Sequence, residues 1–417
     1  MINNYYNLSL IPTFDDELIN PTVLLDKSSI LKLNKIKCQI TDLEYKVISY
    51  NKDNLVSDLI SSYGLCRSLI VNSNGKVVGF SPPKSISSDI FFINNPHRKS
   101  SCIKAEEFVE GTMINVFYNL DYDIWEIATR NIVGATSTFY KSSTSKSKTF
   151  REMFYEAANV CNLDITKLNK KLSYSFVLQH PKNRIVVSFN KPHLFLVGVY
   201  QINHNQNVTV NYYDVNNFKQ YFDEMNTSVK FPTTYLLDTY ADLIQEYASM
   251  NTSYDVVGVV IHNMLTGDRT KIRNPVYDQV RNLRGNQSKL QYQYLCLRRE
   301  GKVKDFLKYY PENKNKLSIF KEQIHLFTDT LYFNYRMCYI KKEKPLIEFS
   351  EQYRTHMFNI HKHYITELRE KKLYINNTFV QKYVNEIHPS LLMYHLNFNL
   401  RKKTIDMIKC EEGNIII

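Results

Sequence analysis

Short apolar and alternating runs dominate the middle of the chain and predict β-strands there. The run SLIVNSNGKVVGF has Asn74-Gly75 near its centre, a pair that favours the tight turn of a β-hairpin. A helix is predicted from Thr149 to Cys161, because apolar residues recur there at helical spacing. Further strand-like runs are GTMINVFYN, IWEIATR, SYSFVLQH, RIVVSF, LFLVGVY, NVTVNYYDV and VVGVVIHN. This succession predicts an α+β domain built on antiparallel sheets.

After about Asn286 the apolar positions change to the three-four spacing of helices. The two clearest stripes are Leu317, Phe320, Ile324, Phe327 and Leu331, and then Tyr353, Met357, Ile360, Tyr364 and Leu368. We therefore predict three parts: an N-terminal segment (1–60) that packs on the core domain, the core domain itself (61–285), and a helical C-terminal domain (286–417). No apolar run approaches the roughly 20 residues of a membrane span, and no leader pattern opens the chain, so no membrane association and a cytoplasmic location are expected.

Positive charge is concentrated in the predicted helical domain. The whole chain has a formal net charge of +12, and residues 286–417 hold 23 Lys and Arg against 14 Asp and Glu. A concentrated positive excess is typical of surfaces that bind phosphate backbones. The same Lys-rich, Asn-rich composition is also typical of an AT-rich genome, which weakens the inference from charge alone.

Three segments of the core domain resemble, in order and spacing, motifs I, III, IV and V of the bacteriophage-T4-type RNA ligases. They are EFVEGT (107–112), SFVLQHPKNRIV (175–186), and Val257-Gly258 followed by TKIR (270–273). The phrase PxNRIV is the most specific piece, and the likeness covers roughly residues 60 to 280. The whole chain is also similar to RNA-ligase-like proteins of giant DNA viruses. The resemblance implies the nucleotidyltransferase fold of RNA ligases and capping enzymes.

The residues that ligase chemistry needs are missing at three of the matching positions. A covalent nucleotidyltransferase attacks the α-phosphate with a lysine amine, and the family's motif I opens with this lysine where the chain has Phe108. The family's motif III and IV glutamates correspond to Val177 and Val257, which cannot orient a metal ion. We therefore expect no catalytic residue, no metal site and no cofactor.

Side chains that bind phosphates remain. The resemblance places phosphate-contacting residues at Arg67, Lys84, Arg130, Lys271 and Arg273, and Lys271 and Arg273 alternate on a predicted strand so that both can reach one face. Phe108 and Trp125 are predicted on neighbouring strands of the pocket, where they would stack a base or a methylated, positively charged guanine. Alternatively, Phe108 fills a disused pocket. The predicted nucleotide- or RNA-binding set is Arg67, Lys84, Phe108, Glu110, Trp125, Arg130, Arg184, Lys271 and Arg273.

Three functions follow from these patterns. The first is an inactive RNA-ligase-like protein that binds RNA at a 5′ end or a cap-like nucleotide, in viral mRNA handling or translation. The second is an active ligase or nucleotidyltransferase with a relocated nucleophile such as Lys104, which would use ATP or GTP with magnesium. The third is a structural scaffold, with a viral or host protein partner bound through the helical domain.

Overall fold

The computed structural model describes residues 5–12, 14, 29–97, 101–139, 147–236 and 238–402. The chain divides into two compact units, Met1–Arg281 and Asn282–Ile417. Within the described part of the chain, no helix has both the length and the apolar character needed to cross a membrane.

The described residues of the first unit form three antiparallel sheets, which we call A, B and C. Sheet A has the strand order β1-β11-β10-β9-β7-β8, sheet B the order β2-β3-β4-β5, and sheet C the order β12-β6-β13-β14. The strands are β1 (Tyr5–Asn7), β2 (Leu31–Lys37), β3 (Glu44–Tyr50), β4 (Leu69–Asn72), β5 (Val77–Gly79), β6 (Ile103–Glu107), β7 (Thr112–Asn119), β8 (Ile124–Ala128), β9 (Ser173–Gln179), β10 (His193–His204), β11 (Val208–Tyr213), β12 (Thr234–Tyr235), β13 (Gly258–Asn263) and β14 (Arg269–Arg273).

Helices are sparse in the first unit and dominate the second. They are α1 (Ile60–Tyr63), α2 (Ser88–Asn94), α3 (Phe150–Val160), α4 (Lys219–Glu224), α5 (Tyr240–Tyr247), α6 (Pro275–Arg284), α7 (Leu290–Arg299), α8 (Val303–Tyr309), α9 (Lys314–Tyr335), α10 (Glu351–His363), α11 (Asn377–Glu386) and α12 (Pro389–Leu396). Antiparallel sheets followed by a helical region confirm the predicted α+β fold class.

Local sequence accounts for several of these elements. Strands β4 and β5 form the predicted hairpin, and Gly75 in its turn has a φ of +77°. Helix α3 begins with a capping box, in which the Glu152 N–H donates to the Thr149 hydroxyl and the Thr149 N–H donates to the Glu152 carboxylate. The buried face of α3 packs against strands of sheet A and forms the largest apolar core of the unit.

The predicted strand RIVVSF is wrong. Residues 184–189 form bends after a short 3-10 turn at Pro181–Asn183. The backbone N–H groups of Val186 and Val187 donate to the carboxylate of Glu110, each at 3.1 Å. A β-branched run normally favours a strand, but here a buried side chain takes the hydrogen bonds that a neighbouring strand would form.

Two glycines fix the ends of the strands around Phe108. Gly111 has a φ of +149°, and a Cβ there would lie 2.4 Å from the Leu178 carbonyl oxygen. Gly258 has a φ of +134°, and a Cβ there would lie 2.1 Å from the Ile272 carbonyl oxygen. Only glycine allows this close approach of backbones, so both glycines hold neighbouring strands together at the place where Phe108 lies.

In the second unit, the predicted apolar stripes form helix cores. Leu317, Ile324, Phe327 and Leu331 are buried on α9, and Met357 and Ile360 are buried on α10. Phe320 and Tyr353 are only partly buried, because they lie at the edges of their stripes.

Candidate functional site

Phe108 lies directly beside two cations of β14. Its backbone N–H donates to the Gly258 carbonyl oxygen at 3.1 Å, which fixes the residue just beyond the end of β6. The Lys271 Nζ lies 4.9 Å from the centroid of the Phe108 ring, and the guanidinium carbon of Arg273 lies 5.4 Å from it. The residue at the position of the missing nucleophile is therefore in cation–π contact with both motif V cations.

Lys271 is part of a larger group of cations. Its burial, together with the charges of Arg269, Arg67, Arg273 and Lys84, lowers the pKa of Lys271 to about 5. Burial and the charge of Arg269 also lower the pKa of Arg67, to about 10. We call Arg67, Lys84, Arg269, Lys271 and Arg273 the cation cluster.

The cation cluster lacks the carboxylates that normally accompany buried positive charge. Arg269 is 8% exposed, and its Nε has no hydrogen-bond partner among the described residues. Among the described residues, no carboxylate forms an ion pair with Arg67, Lys84, Arg269 or Lys271. Arg273 differs, since its guanidinium lies 3.4 Å from Asp278. Buried charge without a counter-ion is unfavourable, so this arrangement is suited to an anion supplied from outside.

Arg130 lies at the margin of the cation cluster. Its guanidinium lies 4.9 Å from the centroid of the Tyr50 ring, and its charge contributes to the lowered pKa of Arg67. Lys52 is an exposed residue near this group. Partial burial of its amine, together with the charges of Arg130, Arg67, Arg281 and Lys84, lowers the pKa of Lys52. The fold thus brings these cations, which are far apart in the sequence, close enough to interact electrostatically.

Glu110 and Arg184 hold the backbone of the PxNRIV segment. The carboxylate of Glu110 is buried and accepts the N–H groups of Val186 and Val187, and Arg184 donates from Nε to the Val186 carbonyl oxygen at 2.9 Å. These contacts of Glu110 and Arg184 are therefore structural.

The predicted pairing of Phe108 with Trp125 is wrong. Trp125 lies on β8, at the edge of sheet A, whereas Phe108 follows β6 of sheet C. The indole packs against Tyr118, with ring centroids 5.1 Å apart, and against the apolar core around α3. The two strands are close in sequence, but they belong to different sheets.

A cavity of about 560 Å³ lies next to Phe108, between sheets A and C. Aromatic rings from both sides border it, among them Phe108 just beyond β6 of sheet C and Phe195 from β10 of sheet A. The other lining residues are Glu107, Glu110, Gln179, Val187, Ser188, Phe189, Asn190, Lys191, His193, Lys230, Thr233, Tyr235, Asp255, Val256 and Val257. A cavity of this size, with aromatic and polar walls, suits a nucleotide.

Apolar side chains occupy the positions of the missing glutamates. Val257 borders the cavity, and Val177 packs with Val109 and Phe195 in a small apolar cluster. Across the described ranges, no three or more His, Cys, Asp or Glu side chains are grouped so as to hold a metal ion.

Lys104 is held by carboxylates. Its Nζ lies 2.9 Å from Glu106 and 2.7 Å from Asp214. Burial alone would lower the pKa of Lys104, but the two carboxylates raise it above its usual value. A protonated amine has no lone pair for attack, so this environment does not suit a nucleophile.

Sequence reasoning missed two sets of basic residues. Arg269 extends the alternation of Lys271 and Arg273 by one step, and the run RTKIR carried this signal. Lys191, His193 and Lys230 border the cavity but follow no motif, and only the fold brings them together.

The motif segments beside Phe108 make the chain similar to the RNA-ligase-like proteins of the nucleotidyltransferase class. The particular likeness is to the RNA ligase of the Rhodothermus phage RM378, which is 24% identical over 264 residues, covering 55% of this chain and 58% of that protein. This match confirms the resemblance expected from the motifs. The chain spans little more than half the length of this curated relative, and no family model matches the chain.

Solved structures with some likeness to the chain are also nucleic-acid ligases. An archaeal ATP-dependent RNA ligase is 11% identical with a TM-score of 0.35, covering 63% of this chain and 62% of that one. A Naegleria gruberi RNA ligase variant with AMP and manganese is 10% identical with a TM-score of 0.36, covering 61% of this chain and 98% of that one. Both TM-scores lie below 0.5, too low to bear on function.

Proposed function

We propose that this protein binds the phosphorylated 5′ end of an RNA at the cation cluster beside Phe108 and transfers no nucleotide. The observation that carries the proposal is the cation cluster, in which the buried Arg269 and the half-buried Arg67 and Lys271 have no carboxylate partner among the described residues. A terminal phosphate group supplies the missing negative charge. Binding of this kind would serve the handling or translation of viral mRNA.

The absence of a nucleophile at Phe108 supports binding without turnover. The side chain offers no amine, and its neighbours Lys271 and Arg273, which lie over its ring, are of the residue types that bind phosphate oxygens. The apolar side chains of Val177 and Val257 cannot orient a metal ion, which nucleotidyl transfer requires.

The charges around the cavity favour an anionic end group over a methylated, cationic guanine. Lys271 and Arg273 lie over the Phe108 ring, and the Lys230 Nζ lies 5.6 Å from the centroid of the Phe195 ring. Basic side chains of the protein thus already occupy the positions from which a cationic base would gain cation–π attraction. We therefore place phosphate recognition ahead of cap recognition.

Two measurements test the proposal. Purified protein is incubated with radiolabelled ATP or GTP and magnesium or manganese, and then separated by denaturing electrophoresis; we expect no covalent label. The same preparation should bind a 5′-phosphorylated oligoribonucleotide more tightly than a 5′-hydroxyl oligoribonucleotide of the same sequence. A covalent label would contradict the absence of turnover, and equal affinity for the two RNAs would contradict recognition of the 5′ phosphate.

One observation favours an active enzyme as the second candidate, and it concerns Lys271. Its lowered pKa leaves the amine neutral at pH 7, and its Nζ lies beside the ring that replaces the nucleophile. In that case the Lys271 nitrogen would bond to the α-phosphorus of ATP or GTP as the bond to pyrophosphate breaks, and the amine proton would pass to solvent. A label that is lost in Lys271→Ala and retained in Lys104→Ala would establish this alternative.

A further inference from the structure

Two histidines meet in the core of the helical unit. His356 on α10 is 3% exposed, and the centroid of its ring lies 4.4 Å from the ring centroid of His395 on α12. Among the described residues, neither the His356 Nε2 nor the His395 Nδ1 has a hydrogen-bond partner, although both atoms are shielded from solvent. We call these two residues the histidine pair.

Aromatic side chains from the neighbouring helices surround the histidine pair. The His356 Nδ1 lies 2.9 Å from the hydroxyl oxygen of Tyr383 on α11. The ring centroid of Phe327 on α9 lies 5.8 Å from that of His356 and 6.4 Å from that of His395. The pair therefore occupies the place where α9, α10, α11 and α12 pack together.

The histidine pair lacks a counter-ion. Across the described ranges, no carboxylate forms an ion pair with His356 or His395. The other titratable and charged groups that face the pair are Tyr383, whose pKa is raised by burial, Tyr394 beside His395, and Arg401. Tyrosine is neutral near pH 7 and arginine is positive. A proton on either imidazole would therefore remain uncompensated inside the unit.

This environment keeps both imidazoles neutral in the folded unit. Burial, together with the charge of His395, lowers the pKa of His356 to about 4. Burial and the charge of Arg401 lower the pKa of His395. An unfolded histidine has a pKa of about 6.5. Because the folded-state values lie below it, stability is highest above about pH 6.5 and decreases as the pH falls from there toward the folded-state values.

The buried histidines of the first unit are arranged differently. His180 and His262 are both more than nine-tenths buried, and each contacts a carboxylate at 3.0 Å, Glu156 and Glu106 respectively. Burial lowers the pKa of His262 as well, but the charge of Glu106 offsets part of this effect. A proton on either of these histidines is thus balanced within the fold.

We infer that the histidine pair makes the helical unit acid-labile, so that this unit opens below the pH at which a free imidazole takes up a proton, while the first unit keeps its fold. Two positive imidazoles at this spacing repel each other, and opening of the four helices lets water solvate both. This inference does not depend on the proposed binding of RNA.

An acid titration of the full-length protein tests the inference, with one reporter for each unit. Far-UV circular dichroism follows the helices, which dominate the second unit, and fluorescence follows Trp125 on β8, the single tryptophan of the chain, in the first unit. At a fixed urea concentration, we expect the ratio of folded to open helical unit to fall between about pH 6 and pH 4.5, by about tenfold per pH unit for each proton taken up. Trp125 fluorescence should stay constant over this range. A pH-independent ratio, or a single transition shared by both reporters, would overturn the inference.

The double variant His356→Gln/His395→Gln should remove this pH dependence, because an amide does not titrate and can still form a hydrogen bond with the Tyr383 hydroxyl. His325→Gln, which replaces an exposed histidine on α9, is the matched control and should keep the pH dependence of the wild type. An equal effect of the double variant and the control would mean that the pair is not the source of the acid sensitivity, and the inference would fail.

His361 provides a second control, since burial lowers its pKa too and its ring stacks on Tyr339 with centroids 3.8 Å apart. If His361→Gln removed the pH dependence and the double variant kept it, the inference would be wrong. Should the double variant not fold, NMR titration of the wild-type imidazoles decides instead. His356 should remain neutral at about pH 5 in the folded unit, and its protonation near the usual histidine pKa would overturn the inference.

Discussion

Two groups of buried charges lie side by side in sheet C, and they are built in opposite ways. Lys104, His262 and Arg269 are cross-strand neighbours on β6, β13 and β14. Lys104 is paired with Glu106 and Asp214, and Glu106 also contacts the His262 ring at 3.0 Å. Arg269, one strand further on, has no carboxylate partner among the described residues.

Under the proposed function, the difference separates charge that stabilises the fold from charge kept for a ligand. A buried ion is tolerated when its partner and hydrogen bonds are in place, as they are around Glu106. An unpaired buried cation opposes folding, and a fold that retains such cations holds a preformed site for an anion. Disrupting the paired group should therefore lower the stability of the fold. Disrupting the unpaired group should instead weaken RNA binding and leave stability unchanged or higher.

The largest expected effect is on the paired group. Glu106→Ala removes the carboxylate between Lys104 and His262 and leaves buried charge without a partner, which we expect to lower the free energy of unfolding by about 3–5 kcal/mol. Denaturant unfolding of the variant and the wild type measures it. Glu322→Ala, on the exposed face of α9 in the helical unit, is the control and should change stability little. A loss of unfolding free energy as small as that of the control variant would mean that the ion pairs of Glu106 do not stabilise sheet C.

Acid should weaken the same group in the wild type. Burial would raise the pKa of Glu106, but His262 and Lys104 hold it at about 2. Because the folded-state pKa lies below the unfolded value of about 4.3, this contribution is present above that value and is lost as the pH falls toward 2. Unfolding curves between pH 5 and 2.5 should show the loss in the wild type and little of it in Glu106→Ala.

The next effect concerns the unpaired group and has the opposite sign for stability. Arg269→Gln should weaken binding of 5′-phosphorylated RNA by roughly tenfold to a hundredfold, because it removes a buried charged contact. The protein itself should be as stable as the wild type or more so, since repulsion between Arg269 and Arg67 is relieved. Filter binding and denaturant unfolding measure the two quantities. Arg151→Gln, an arginine over a tyrosine ring on α3, is the control. Lower stability with unchanged RNA affinity would contradict the proposed role.

The sequence pattern predicted elements well where local signals determine the structure. The β4–β5 hairpin and α3 depend on local signals, a turn pair and a capping box, and both lie where the sequence predicts them. The segment 184–189 fails because its hydrogen-bond partner, Glu110, lies far away in the sequence. No pattern within RIVVSF contains that information.

The candidate site could be predicted only in part. Motif resemblance located Phe108, Lys271 and Arg273, and the structure brings them into contact. It misplaced Trp125, because adjacent segments of a chain need not enter the same sheet. Lys191 and Lys230 became candidates only when two sheets closed around one cavity.

The pH dependence of RNA affinity provides a further test of the difference between the paired and the unpaired group. In the free protein the pKa of Lys271 is lowered to about 5, so near pH 7 the amine is neutral. A bound phosphate stabilises the protonated form and raises this pKa, so binding takes up a proton. Affinity should therefore fall as the pH rises from 7 to 9, by up to about tenfold per pH unit. This window lies above the second ionisation of a phosphate monoester, near 6.

Lys271→Arg is the matching variant, because a guanidinium stays charged throughout this range. Its affinity for 5′-phosphorylated RNA should be nearly flat between pH 7 and 9. If the wild type were equally flat, Lys271 would not change its protonation on binding and would lie outside the phosphate contact.

The smallest effect should come from removing a carboxylate that contacts the unpaired group. Arg273 is the member of the cation cluster that contacts a carboxylate, at 3.4 Å from Asp278, and both side chains are more than a third exposed. Asp278→Asn removes this competition while keeping the shape of the side chain. An exposed ion pair contributes about 0.2–1 kcal/mol, so affinity for 5′-phosphorylated RNA should increase by no more than about fivefold.

Asp242→Asn, at the exposed start of α5, is the control and should leave affinity unchanged. The gain should also shrink at high salt, because solvent-exposed charges are screened. A loss of affinity in Asp278→Asn would mean that the carboxylate positions Arg273 for the ligand, and that even this cation depends on a partner as Lys104 does.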